Sequence, residues 1–327
     1  MGVSFEQLRE VCQRPVASSN DVSGLLFGDR LSLPLTKLFI DRELSPNLAT
    51  VGMLVCGIVG SALQLISPGA AVAGAVILVM YYLLDCVDGE VARWRKVEHA
   101  RWGYYEYIFH FIVKPLVFAS VGLTCWLETG SVWMLGAAFS ASVATLWLKL
   151  FFAVPSLVFV NSVLPAGSSG DRPYGHYLDD AVQRAAELSQ SENVKETVRA
   201  ESGVFRLGFD LVTARSLSTN FDVGLALLVV LSALDWALPG ADLFGLSGCS
   251  FRVLWLCYYG VILPLDFIDY VRSYVGQRRF DKTMVRLLAF AHGFALEGEK
   301  RAREVGPPPL AAANHEAQNG AATESLN

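Results

Sequence analysis

The stretch YYLLDCVDGEVARWRKVEHARWGYYEYIFHFIVK, residues 81–114, decides how the rest of the chain is read. One apolar run enters it and another leaves it. Between them stand Asp85 and Asp88, then Gly89, the small Ala92, Arg93 and a basic turn. The outgoing run carries Trp102, Glu106, His110 and Lys114 at intervals of four. Helical spacing puts Asp85 and Asp88 on one face, and Glu106, His110 and Lys114 along one stripe. Ionisable groups running into an apolar segment are expensive to insert, so they mark a functional site by default.

The surrounding composition is that of a membrane protein. The chain has 327 residues, of which 53% are hydrophobic and only 17% charged, and its mean hydropathy is positive. Six apolar segments run over about 48–66, 70–84, 104–126, 132–154, 223–238 and 253–271. Helices are the spanning element for runs of this length. The expected fold is therefore all-α and integral to the membrane, with six transmembrane helices, an N-terminal interfacial helix and a cytoplasmic helical insertion. Residues 1–30 are polar and read as irregular. Within 30–43, Leu35, Leu38, Phe39 and Ile40 suit a helix lying in the membrane interface. Ser45-Pro46-Asn47 then ends one helix and starts the next. The insertion at 161–220 carries two amphipathic patterns, around 177–191 and 194–215. The tail from Gly306 is rich in Pro, Ala and Asn and reads as disordered. The domain expectation is an arm over 1–46, a membrane domain over 47–275 that includes the insertion, and a tail over 276–327.

Charge gives the orientation. The connections 67–69, 127–131 and 239–248 contain no Lys or Arg, whereas the opposite side holds Arg93, Arg95, Lys96, Arg101, Arg278, Arg279, Lys282 and Arg286. The positive-inside rule puts both termini and the 85–101 turn in the cytoplasm. The basic residues thus sit where the membrane rule wants them, which argues against nucleic acid as a partner. The opening MGVSFEQLREV has neither a basic start nor an apolar core and reads as no cleaved signal peptide. Six cysteines show no metal-ligand spacing, and the four within or beside apolar runs read as buried thiols.

Carboxylates at helical spacing beside a cytosolic opening suit Mg²⁺ or Mn²⁺, hard cations that take oxygen ligands together with substrate phosphates. Gly89 lets a phosphate or ribose approach the helix backbone, and Arg93, one turn on, can pair with phosphate. These residues read as a metal-assisted phosphoryl or phosphodiester site. The same residues also suit a salt-bridged helix end with a basic, lipid-anchoring loop. Asp266 and Asp269, at the end of the sixth segment, either line an acceptor pocket or pair with Arg272 or, less well placed at the opposite end, Arg252.

Asp85-x2-Asp88-Gly89-x2-Ala92-Arg93 resembles the first half of the CDP-alcohol phosphotransferase signature, D-x2-D-G-x2-A-R-x8-G-x3-D-x3-D. Leu44-Ser45-Pro46-Asn47-Leu48-Ala49-Thr50 is similar to the segment that precedes the first span in that family, and the likeness extends over roughly 30–275. The second half departs: Trp102 stands at the glycine, Glu106 at the third aspartate and His110 at the fourth. The resemblance implies that Asp85, Asp88, Glu106 and His110 hold Mg²⁺ or Mn²⁺, and that Asp85, Gly89, Ala92 and Arg93 bind the CDP moiety. Glu106 and His110 are then catalytic, with the imidazole taking the place of the family's aspartate base. It further implies a CDP-alcohol donor, such as CDP-diacylglycerol, and a hydroxyl acceptor that attacks the distal phosphorus and releases CMP. The expected setting is phospholipid synthesis at the cytoplasmic face of a cell's inner membrane, among membrane lipids and compatibly with a homodimer. Lys114, roughly 12 Å deeper along its helix than Glu106, could neutralise an acceptor phosphate. The altered second half leaves two other readings open, a transferase for a water-soluble CDP-alcohol or unusual polar acceptor, and a non-catalytic paralogue that binds nucleotide or lipid.

Overall fold

The computed structural model describes residues 3–14, 23–96, 100–163, 218–239 and 250–276. These residues are helical or turn and contain no strand. The elements are α1 (Phe5–Leu8), α2 (Asp29–Asp41), α3 (Pro46–Leu63), α4 (Pro68–Arg95), α5 (Ala100–Thr129), α6 (Trp133–Val163), α7 (Phe221–Ala237) and α8 (Phe251–Gly276), with π-helical turns at Arg9–Gln13 and Gly24–Gly28. Two compact units divide the chain, Met1–Phe151 with Phe205–Arg272 and Phe152–Val204 with Ser273–Asn327. Of the second, only 152–163 and 273–276 are described, and both stretches are helical.

Among the described residues, five helical stretches are long and apolar enough to cross a membrane: Pro46–Leu63, Pro68–Arg95, Gly103–Thr129, Trp133–Phe151 and Phe251–Arg272. The protein is an all-α, multi-pass membrane protein. The remaining apolar segment forms α7, whose 17 residues span about 26 Å at ~1.5 Å per residue. Helix starts follow local chemistry. Pro68 opens α4 behind Ser67, whose side chain accepts from the Ala70 amide, and Asn220 caps α7 by accepting from the Asp222 and Val223 amides. Lys96 ends α4 in the left-handed conformation.

The helices close on each other where side chains are small. A Cβ on Gly74 would lie 2.6 Å from the Gly60 carbonyl oxygen, and one on Gly60 would lie 2.8 Å from that of Gly74. Thus α3 and α4 pack backbone to backbone, the mode available where lipid gives no hydrophobic drive between helices. The core beside this contact draws Met53 from α3, Leu78 and Tyr81 from α4, Phe118 from α5, Leu228 from α7 and Trp255 from α8. The Phe118 and Trp255 rings stack with centroids 5.2 Å apart.

The far end of the bundle is closed by charge. Arg252, 1% exposed, donates through Nε to Asp235 at 2.8 Å and through a terminal nitrogen to Glu128 at 2.9 Å. It also reaches the Gln64 carbonyl at 3.3 Å. One guanidinium therefore ties together the ends of α3, α5, α7 and α8.

The expected helix over 30–43 is α2, but the polar, irregular reading of residues 1–30 is corrected by α1 and the two π-helical turns. The arm they form is docked on α4. Leu8, Cys12 and Leu33 make one buried cluster against Trp94, and Phe39 packs with Ala49, Val87 and Val91. Burial, reinforced by the Glu90 carboxylate, pushes the Cys12 thiol up to about 11. One polar residue of that segment, Gln13, faces inward, where with Ser32 and Thr36 of α2 it satisfies a buried acid on α4. The fourth helix also outruns its expected end at 154, reaching Val163. The proposed helices within 161–220 and the tail from 306 lie outside the described residues.

Candidate metal centre and active site

Helix α4 carries Asp85, Asp88, Gly89, Ala92 and Arg93 on a single uninterrupted run, and α5 brings Glu106 and His110 back past it. Asp85, Glu106 and His110 converge: each offers one ligand atom, and these atoms lie within 4.8 Å of one another. His110 Nε2 is 3.2 Å from Asp85 Oδ1 and 3.9 Å from Glu106 Oε1. The imidazole is buried, while the two carboxylates are partly open.

Asp88 lies outside this group. Its Oδ2 accepts from Thr50 Oγ1 of α3 at 2.5 Å, so the two aspartates of α4 are held by different neighbours. Thr50 belongs to the turn that follows Ser45-Pro46-Asn47, which ties that segment to the motif helix.

The buried Tyr81 hydroxyl meets the other ring nitrogen of His110, Nδ1. Two tautomers satisfy this contact. If Tyr81 donates to Nδ1, the Nε2–H faces Asp85. If Nδ1–H donates to the Tyr81 oxygen, Nε2 is bare and can accept a proton or a cation. Tyr81 therefore leaves His110 one nitrogen for chemistry.

Two cations border the group. Lys114 of α5 and Lys149 of α6 both bear electrostatically on the Asp85 carboxylate. The Lys114 ammonium lies 5.1 Å from the centroid of the Phe221 ring, and that of Lys149 lies 4.4 Å from the Tyr107 centroid. Over Gly89 lies the Arg93 guanidinium, whose terminal nitrogen would be 3.1 Å from a Cβ at that glycine. Its Nε donates to the Cys12 carbonyl at 2.7 Å.

The donor set of two carboxylates and an imidazole within 4.8 Å fits one divalent cation of the Mg²⁺ or Mn²⁺ kind, with Mn²⁺ the more tolerant of nitrogen. Residues 43–162 match the model for CDP-alcohol phosphatidyltransferase. That stretch is similar to the domain of that family. The matched stretch takes in α3, α4, α5 and most of α6, and so the whole of the motif, though it is shorter than the 30–275 expected from the resemblance. The match supports an enzyme that transfers a phosphoalcohol group from a CDP-alcohol, in a family that is typically dependent on divalent metal. No curated protein matches the chain.

Of the sequence-predicted residues, Asp85, Glu106 and His110 are brought together, and Gly89, Ala92 and Arg93 line the next turns of α4. Asp266 is partly buried and Asp269 exposed on α8, and neither is in the metal-ligand group. Arg252 pairs with Asp235 and Glu128 rather than with these acids. The Trp102 side chain and His99 lie outside the described residues. Sequence reasoning missed Tyr81 and Lys149, and gave Thr50 a place in the family-like segment but no role. Lys149 was findable, since a lone lysine inside the apolar run of α6 is costly there without a role. Tyr81 carried no such signal, because an aromatic in an apolar helix looks like core.

Proposed function

We propose that the protein transfers a phosphatidyl or related phosphoalcohol group from a CDP-alcohol to a hydroxyl acceptor and releases CMP, with its active site at the cytoplasmic face of the membrane. The observation that carries this reading is the convergence of Asp85, Glu106 and His110 within 4.8 Å, on the two helices where the family signature falls. Asp85 and Glu106 would hold Mg²⁺ or Mn²⁺ beside His110, with Asp88, held by Thr50 outside the group, adding its charge from the same helix as Asp85. The ion when bound would neutralise the pyrophosphate and the charge that builds on the departing CMP. Arg93, lying over Gly89, binds the diphosphate as a two-pronged donor. Lys114 and Lys149 suit an acceptor or lipid headgroup that carries an anionic group. His110 receives the acceptor proton on Nε2 as the oxygen bonds to the distal phosphorus and the bond to CMP breaks. Since Tyr81 occupies Nδ1, the single lone pair on Nε2 cannot serve a cation and a proton together. We assign it to the proton.

The test incubates purified protein with CDP-diacylglycerol, Mg²⁺ and pools of polar alcohols, and follows CMP. Release that depends on one acceptor supports the reading. Release only with a soluble CDP-alcohol moves the donor class, and no release with any donor leaves a nucleotide- or lipid-binding protein. His110→Gln is expected to lower kcat by roughly a hundred- to ten-thousandfold with little change in donor KM. His110→Asp, which restores the family's residue type, should regain part of that loss. Equal kcat in wild type and His110→Gln would remove the base assignment and leave the family assignment standing.

For topology, α7 is taken as a sixth crossing, which puts the 161–220 segment and both termini on the cytoplasmic side by the distribution of Lys and Arg. In a background without native cysteines, Gly170→Cys should be labelled only from the cytoplasm and Ser131→Cys only from the opposite side. Labelling of position 170 from outside would overturn this orientation.

A further inference from the structure

Glu90 stands in the middle of the motif yet faces away from the metal group. It is 2% exposed, and among the described residues the donors that meet it come from the N-terminal arm. Gln13 Nε2 and Ser32 Oγ donate to Oε1 at 2.7 Å each, and Thr36 Oγ1 donates to Oε2 at 2.5 Å. Gln13 also donates to the Asp29 carbonyl at 2.7 Å, which locks the first part of the arm to the start of α2. A carboxylate removed from water without such donors is strongly unfavourable. Docking of the arm is therefore bound to the presence of this acid.

The residue beside Gln13 completes the arrangement. The Cys12 carbonyl accepts from Arg93 Nε at 2.7 Å. Consecutive residues of the arm thus hold two residues one turn apart on α4, Glu90 by a side chain and Arg93 by a backbone oxygen. With Nε fixed, the two terminal nitrogens of Arg93 stand 3.1 and 3.5 Å from where a Cβ at Gly89 would be. An arginine on an open helix face samples many rotamers. This one is aimed before any ligand arrives, and preorganisation of that kind raises affinity by removing an ordering cost.

We infer that the N-terminal arm is a positioning element of the nucleotide site, and that Gln13 and Glu90 are positioning residues that aim Arg93 across Gly89 at the diphosphate of the donor. The inference rests on the proposed function for the ligand's identity. The contacts that carry it are independent of the metal group.

The test measures affinity for cytidine 5′-diphosphate with Mg²⁺, using the full chain in detergent, alongside the thermal midpoint. Gln13→Ala and Glu90→Ala are each expected to weaken binding by roughly tenfold or more, the scale of one charge-assisted hydrogen bond. Glu90→Gln, which keeps the shape and an acceptor oxygen, should recover part of the loss. The deciding readout is a cycle with Arg93→Ala. In that background Gln13→Ala should cost no further affinity, because its effect passes through the missing guanidinium. A Gln13→Ala protein that melts earlier but binds as wild type would overturn the inference, as would a loss that persists in full beside Arg93→Ala. Where Glu90→Ala fails to fold, Gln13→Ala still decides. Failure of the wild type to bind the diphosphate would sink the donor reading and the inference with it, whereas binding with additive losses sinks the inference alone.

Discussion

Asp85→Asn is expected to lower turnover by on the order of a thousandfold, the scale seen when one electrostatic stabiliser leaves a preorganised site. The substitution preserves shape and removes one charge. Asp85 is the hinge of the group. Its Oδ1 is the near neighbour of His110 Nε2 at 3.2 Å, and both Lys114 and Lys149 act on its carboxylate. Its neutral replacement weakens the hold on a divalent ion and leaves the two lysines facing an amide. The Mg²⁺ concentration for half-maximal CMP release should therefore rise together with the fall in kcat. The thermal midpoint should change little, since the carboxylate is partly open and belongs to no buried cluster of the fold. Wild-type turnover by Asp85→Asn, or full activity of the wild type in excess EDTA, would defeat the metal reading.

The fold was legible because its determinants repeat. Apolar runs, Pro at helix starts and the bias of Lys and Arg each act locally, so α3 to α8 could be read directly, although α4 and α6 run well past the apolar stretches that announced them, to Arg95 and Val163. The first half of the site was legible for the same reason: Asp85, Gly89 and Arg93 sit on one helix, where spacing is geometry. What could not be read depends on contact between distant segments. That Asp88 turns to Thr50 of α3 while Asp85 turns to His110 of α5 follows from how three helices cross, not from their separation of three residues. Tyr81 is set against His110 by the same crossing. The arm is the clearest case. Gln13, Ser32 and Thr36 look like residues for water, and they became interior because Glu90 needs them. Polarity in a sequence reports the need for hydrogen bonds, and partners other than water can meet it.

Arg252 decides the stability of the other end. Arg252→Met is expected to destabilise the fold by about 3–5 kcal/mol, the range for removing one member of a buried ionic network. The guanidinium is 1% exposed and donates to Asp235, Glu128 and the Gln64 carbonyl. Asp235 also accepts from the Phe251 and Arg252 amides, so its carboxylate helps start α8. Without Arg252 the buried Asp235 loses its counter-charge while the more open Glu128 stays nearby, and the ends of α3, α5, α7 and α8 lose their common tie. The thermal midpoint in detergent should fall by roughly 10 °C. Activity measured well below that midpoint should persist, because the metal-ligand group lies at the other end of the helices. Replacing the set together, with Arg252→Met, Asp235→Leu and Glu128→Leu, should recover much of the loss, since an apolar set of similar volume carries no desolvation penalty. A midpoint unchanged by Arg252→Met would mean that the network contributes nothing net. A triple variant no better than the single one would locate the cost in lost packing rather than in the stranded acids.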